Sequence, residues 1–196
     1  MLNPRRRIMI AAAGIAACVG LGLAAWMYAH PTPKRFAEVV PGRLYRCGDI
    51  SPHELEYVVG TTGIKTVLSL LNPEVQESIA EKAAAIRLGL RWENVPLPGD
   101  GASTPEDRER IKQVLFDPAA APLLVHCSAG TNRTGLTIGM YRIYEDGWTV
   151  DQVLEEMRRF DFEDLPKHEN LRAALRTEWA IAQSNRATEQ WKPSSP

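Results

Sequence analysis

The chain has 196 residues, 44% apolar and 24% charged, enough for one domain with a sizeable core plus a short extra segment. That composition excludes a largely disordered chain. Three cysteines (Cys18, Cys47, Cys127) without a CxxC pair exclude a disulfide-stapled miniprotein and a zinc ribbon, and neither a metal nor a cofactor is called for. The net charge of −1 is unevenly spread: residues 1–35 hold five basic residues and no acid, and residues 36–196 hold 18 basic and 24 acidic ones. An acidic domain of this kind does not track a nucleic-acid backbone, so any anion it binds must be held by a local site.

Arg5, Arg6 and Arg7 precede an uncharged run, Ile8 to Ala29, whose 22 residues match the roughly 20 that cross a bilayer as a helix. The arginines favour the cytoplasmic side, so residues 1–30 are expected as a membrane anchor through residues 8–29, with everything after residue 30 across the membrane. A cleaved signal ending near Met27-Tyr28-Ala29 and a lipoprotein signal at Ile15-Ala16-Ala17-Cys18 are the competing readings, and a buried core helix is the plain one. His30 to Lys34 reads as a linker, and residues 36–184 as the domain proper.

Gly42 to Arg46 predicts a strand. Ser51-Pro52-His53-Glu54 is a capping box that opens a helix, and Gly63 fits its end. Lys65 to Leu70 is a buried strand. A helix over Glu74 to Leu88 follows from Ile79, Ala83 and Ile86 at helical spacing. Arg91 to Leu97 is the next strand, Pro98 to Gly101 a loop, and Thr104-Pro105-Glu106-Asp107 starts a helix running to Phe116. Pro122 to His126 is a strand buried on both faces, with a helix from Leu136 to Glu145 beyond its loop. Thr149 to Gln152 is another capping box, a last helix covers His168 to Gln183, and residues 185–196 form a polar tail. Alternating strands and helices predict an α/β fold with a central, mostly parallel sheet flanked by helices.

The segment His126 to Thr134 has the form HCxxGxxRT. A tight loop ending at a helix start turns several backbone N–H groups inward at the positive end of the helix dipole, which makes an anion nest. Gly130 permits a turn that a Cβ would obstruct, and Arg133 supplies a planar fork for two oxygens of a tetrahedral oxyanion. Cys127 sits at the mouth, where the donors that hold a phosphate also favour a thiolate. Thr134 can donate a hydrogen bond to the sulfur as it leaves. Ser128, Ala129, Gly130, Thr131, Asn132 and Arg133 would line the bound anion, and His126 reads as a partner that shapes the loop. A buried structural thiol is the plain alternative for Cys127. A Walker A loop fails for want of Gly-Lys-Ser/Thr, and a zinc site fails because His126 and Cys127 are adjacent with no second ligand pair.

These residues resemble the signature of the cysteine-dependent protein tyrosine and dual-specificity phosphatases, HCxxGxxR followed by Ser or Thr. Leu44-Tyr45-Arg46, Gly63 to Val67, Met140 to Ile143, Gly147-Trp148 and Leu154 to Met157 look similar to the bacterial periplasmic branch. The resemblance covers about residues 36–180 and implies that family's fold, no cofactor, a phosphoprotein substrate, a phosphocysteine intermediate and, taken with the anchor, a bacterial inner-membrane protein whose domain lies in the periplasm. It also implies an aspartate general acid on a loop upstream of the cysteine. Asp100, 27 residues before Cys127 between two glycines, fits best, with Asp107, Glu106 and Glu93 as the alternatives. One departure is Leu71-Asn72-Pro73, where such proteins often carry an arginine. The uncharged loop positions favour phosphotyrosine, or phosphoserine/threonine, over an inositol phosphate, although Arg43, Arg46 and Lys167 are candidates to approach the mouth. A phosphate-recognition module without turnover and a sulfurtransferase are the other classes left open, and an oxidised Cys47–Cys127 pair depends on whether the fold joins them.

Overall fold

The computed structural model describes residues 4–188, which part into two compact units between Thr32 and Pro33. The first contains α1 (Pro4–Ala29), followed by His30, whose Nδ1 lies 2.9 Å from the Trp26 carbonyl. Among the described residues no helix is long and apolar enough to cross a membrane. This overturns the expected span at residues 8–29 and the inner-membrane and periplasmic placement that rested on it.

The second unit runs β1 (Ala37–Val40), β2 (Leu44–Cys47), α2 (Pro52–Thr62), β3 (Thr66–Ser69), α3 (Gln76–Arg87), β4 (Arg91–Asn94), α4 (Pro105–Leu115), β5 (Leu123–His126), α5 (Asn132–Tyr144), α6 (Val150–Arg159) and α7 (Glu169–Ala187), with short 3-10 turns before β5 and α7. The sheet order is β1-β2-β5-β3-β4. It is a mixed sheet: β1 is antiparallel to β2, and the other three pairings are parallel. β1, hydrogen-bonded only along one edge, was not anticipated from its sequence.

Side chains alternate across the sheet, and each face has its own core. Leu44, Leu68, Leu123 and Val125 pack with α4, α5, α6 and α7 through residues such as Ile111, Leu136, Met157 and Leu175. Tyr45, Cys47, Val67 and Leu124 pack on the other face with Leu55 and Val58 of α2 and Ala84 and Ala85 of α3. The same alternation sends Cys127 and Cys47 to different cores, and both are free thiols.

Capping boxes at Ser51/Glu54, Thr104/Asp107 and Thr149/Gln152 start α2, α4 and α6. Gly63 closes α2 in the left-handed region at φ 68°. In α3 the inward face differs from the expected one. Ser78, Glu81, Ala84 and Ala85 are buried, while Ile79 and Ile86 stand 50% and 64% exposed. The helix is turned so that Glu81 meets Trp92, whose Nε1 donates to it at 2.7 Å, and His126. At the far end α7 continues through Ala187, past the expected start of the tail, whose residues 189–196 lie outside the described residues.

Candidate active site

Cys127 follows directly on β5, the middle strand, where the C-terminal ends of parallel strands form a crevice. Its Sγ accepts the Gly130 N–H at 3.2 Å and the Thr134 hydroxyl at 3.1 Å, and the side chain is 1% exposed. The loop is pressed onto the end of β2. A Cβ on Gly130, which sits at φ 74°, would come within 2.8 Å of Gly48 N and 2.9 Å of the Cys47 carbonyl oxygen. From the opposite side a Cβ on Gly48 would meet the Ser128 and Ala129 carbonyls at 3.0 and 3.1 Å. Asp49 N–H donates to Ser128 O at 2.8 Å and Arg35 Nη1 to Ala129 O at 2.8 Å, so the loop carbonyls are tied outward. α5 then begins at Asn132 with no side-chain cap from Thr131 and no acid in its first turn, unlike the three boxed helices. Its first N–H groups and its positive dipole end are left for an anion.

Arg133, on the first turn of α5, donates through Nη1 to Leu70 O and Leu97 O, both at 3.3 Å, on the segments that follow β3 and β4. Asn132 Nδ2 donates to Gly99 O at 3.2 Å, which ties the Pro98–Gly101 loop directly to the loop of Cys127. On that loop Asp100 Oδ1 accepts the Ala102 N–H at 3.0 Å and Oδ2 accepts Asn170 Nδ2 at 2.9 Å. Chiefly the Ala102 N–H, and then the Asn170 amide, hold the Asp100 carboxyl below its ordinary value against the opposing effect of burial. Gly101, at φ 84°, faces Leu171 of α7 so closely that a Cβ would lie 2.8 Å from its Cδ1. Residues 168–171 thus form a seat for the loop that carries Asp100.

Residues 31–192 match the model of the tyrosine phosphatase family. The chain belongs to that family. Among curated members it is 33% identical over 101 residues to the dual specificity protein phosphatase TpbA of Pseudomonas aeruginosa strain UCBPP-PA14, covering 52% of this chain and 44% of that protein. It is 27% identical over 135 residues to the inositol diphosphatase SIW14 of Saccharomyces cerevisiae, covering 66% of this chain and 46% of that protein. The chain thus spans about half the length of these curated relatives. The fold is shared with the core catalytic domain of the PP-IP phosphatase SIW14 from S. cerevisiae (TM-score 0.67, 21% identity, 81% of this chain and 94% of that one). It is shared also with P. aeruginosa TpbA (TM-score 0.57, 23% identity, 78% of this chain and 98% of that one).

Against this tyrosine phosphatase framework the other expected residues fall into place individually. His126 lies on the opposite face of β5 from Cys127, with Nε2 3.0 Å from Glu81 Oε2 and neither ring nitrogen hydrogen-bonded among the described residues. Its ring therefore meets α3 rather than the loop it was expected to shape. Asp107 Oδ2 accepts the Thr104 N–H and hydroxyl, both at 3.0 Å, and Glu93 pairs with Arg91 at 2.7 Å. Both carboxylates are engaged locally, Asp107 in the cap of α4 and Glu93 with its strand neighbour. Glu106 lies in the first turn of α4. Asn72 accepts the Glu74 N–H in a local turn. Arg43 stacks over Tyr141 at the start of β2, the end of the sheet away from Cys127. Arg46 reaches the loop, but from beneath rather than at the mouth: it is 1% exposed, and Nη2 donates to Gly130 O at 2.6 Å. Asn170 and Arg35 went unnoticed in the sequence. No local pattern marks a side chain whose partner lies 70 or 94 residues away.

Proposed function

We propose that this chain is a cysteine-dependent phosphoric monoester hydrolase acting on phosphotyrosine in proteins, through a phosphocysteine intermediate. The observation that supports this reading best is the Cys127 sulfur held between the Gly130 N–H and the Thr134 hydroxyl at the uncapped start of α5. In the first step the Cys127 thiolate attacks phosphorus and the P–O bond to tyrosine breaks. The Arg133 guanidinium and the loop N–H groups of residues 128–133 take the charge on the phosphoryl oxygens, and Asp100 gives its proton to the departing phenolate. In the second step Asp100 takes a proton from water, the water oxygen attacks phosphorus, and the S–P bond breaks with Thr134 donating to the sulfur. The cycle releases tyrosine and inorganic phosphate and restores the thiolate.

Uncharged Ser128, Ala129, Thr131 and Asn132 favour a substrate with one phosphate on an aromatic ring. A second reading, an inositol pyrophosphate, is favoured by the likeness to SIW14. Comparing kcat/KM for a phosphotyrosine peptide and for an inositol pyrophosphate separates the two. The acid is tested with paired substrates. Phosphotyrosine leaves as a phenol of pKa about 10 and needs the proton, whereas an activated aryl phosphate needs it far less. Asp100→Asn is expected to damage the first reaction much more than the second, and Asp107→Asn to leave their ratio unchanged. Cys127→Ser is expected to abolish both while phosphate binding survives. A serine variant within tenfold of the parent would remove Cys127 from the mechanism.

A further inference from the structure

Arg46 is buried in a manner that its packing alone does not explain. Its guanidinium lies 3.7 Å from the centre of the Phe160 ring and makes one hydrogen bond, to Gly130 O, while Nε and Nη1 are buried without a partner among the described residues. A cation taken out of water needs a compensating negative charge nearby, or it is costly to keep. The charged and titratable groups facing it are Glu156 of α6, Arg142 of α5, Cys47 of β2 and Cys127. Glu156 is already engaged, accepting Arg142 Nε and Nη2 at 3.1 and 2.8 Å. Cys47 stays a neutral thiol, because burial first, and then Glu81, Cys127, Glu54 and Asp49, push it well above the ordinary thiol range. After Glu156, which Arg142 shares, the Cys127 sulfur is the next place where negative charge can answer Arg46, with Arg133 as the other cation attached to the same loop.

We infer that Arg46 is a positioning residue for Cys127, a buried cation beneath the loop that favours the ionised sulfur and fixes Gly130, whose N–H caps it. The inference rests on Cys127 being the nucleophile proposed above, and it adds a second guanidinium to the one that grips the substrate. The two act from opposite sides: Arg133 reaches toward the crevice from α5, and Arg46 supports the loop from β2. Burial lowers the Arg46 guanidinium to about 10, so it still carries its charge at neutral pH.

The test uses the full chain without substrate: iodoacetamide alkylation of Cys127 is followed across pH by peptide mapping, which separates it from Cys18 and Cys47. Because no turnover is required, the result stands whether or not the chain proves to be a phosphatase. Arg46→Gln keeps a donor for Gly130 O and loses the charge. It should slow alkylation at pH 6 by about tenfold. Arg46→Lys keeps the charge and should recover most of the rate, within about threefold of the parent. Glu156→Gln removes the competing carboxylate and should move the profile the other way, with faster alkylation at pH 6. A Gln variant alkylated like the parent, or a Lys variant as slow as the Gln one, would reduce Arg46 to a prop for the loop. Should both Arg46 variants fail to fold, Glu156→Gln decides alone, and an unchanged or slower reaction overturns the inference.

Discussion

Two glycines with nearly the same backbone angle give a measure of how tightly the Cys127 loop is docked. Gly63 sits at φ 68° with nothing within 4 Å of an added Cβ, and Gly130 sits at φ 74° with three backbone atoms of Cys47 and Gly48 within 2.9 Å. Alanine at either position must accept the left-handed region, at about 1–2 kcal/mol. At Gly130 it must also push backbone from backbone, which cannot relax by rotating a side chain, and overpacking of that kind adds about 1–3 kcal/mol. Gly63→Ala is therefore expected to lose about 1–2 kcal/mol, and Gly130→Ala about 2–5 kcal/mol. With a urea slope near 2 kcal/mol/M, the two midpoints should fall by about 0.5–1 M and 1–2.5 M. Vanadate affinity, read alongside, should drop for Gly130→Ala and hold for Gly63→Ala. Equal midpoints for the two variants would mean that the loop is not pressed on the end of β2.

Removing the Asn170 amide takes away one of the donors that hold Asp100 low, so its carboxyl should titrate higher. In the mechanism proposed above Asp100 works protonated and fails as pH rises through its titration, so the alkaline limb of kcat/KM should move up in Asn170→Ala. A kcat/KM profile superimposed on the parent's would separate Asn170 from the acid. Glu178 is nearly inaccessible and accepts Arg108 Nε at 2.7 Å and the Tyr144 hydroxyl at 2.8 Å. Burial pulls its carboxyl up, but Arg108, Tyr144 and Lys112 together outweigh that and hold it below the ordinary value. Its stabilisation is therefore present above the unfolded carboxyl value of about 4.3 and lost as pH falls through the lower folded one. Glu178→Gln should cost about 3 kcal/mol at pH 7 and flatten the loss of stability in acid, checked by urea unfolding at pH 7 and pH 3. A variant as acid-sensitive as the parent would contradict this.

Local signals carried most of the fold. Each capping box is four residues long, and all three open helices where expected. The buried runs before Cys127 and after Gly63 became β5 and β3. The loop motif was legible because nest, fork and nucleophile lie within eight consecutive residues, Cys127 to Thr134. Periodicity failed in α3, where a buried carboxylate paired across the sheet outweighed two isoleucines in choosing the inward face. The supporting residues of the site were not legible, because Arg35, Arg46 and Asn170 act on carbonyls or a carboxylate far along the chain, and nothing in their neighbourhood records that.

The sheet order carries a consequence for how this chemistry comes into being. Within the described sheet β2 and β3 do not pair with each other; each pairs with β5, so the β1-β2 and β3-β4 halves are joined in the sheet through Leu123–His126. During synthesis both halves emerge first, each with an open parallel edge awaiting a strand that comes last. Insertion of β5 closes the sheet, and the next residue in the chain is Cys127. The proposed nucleophile is therefore presented in the same event that completes the sheet, and a chain that has not finished folding has no assembled nest in which to hold its sulfur.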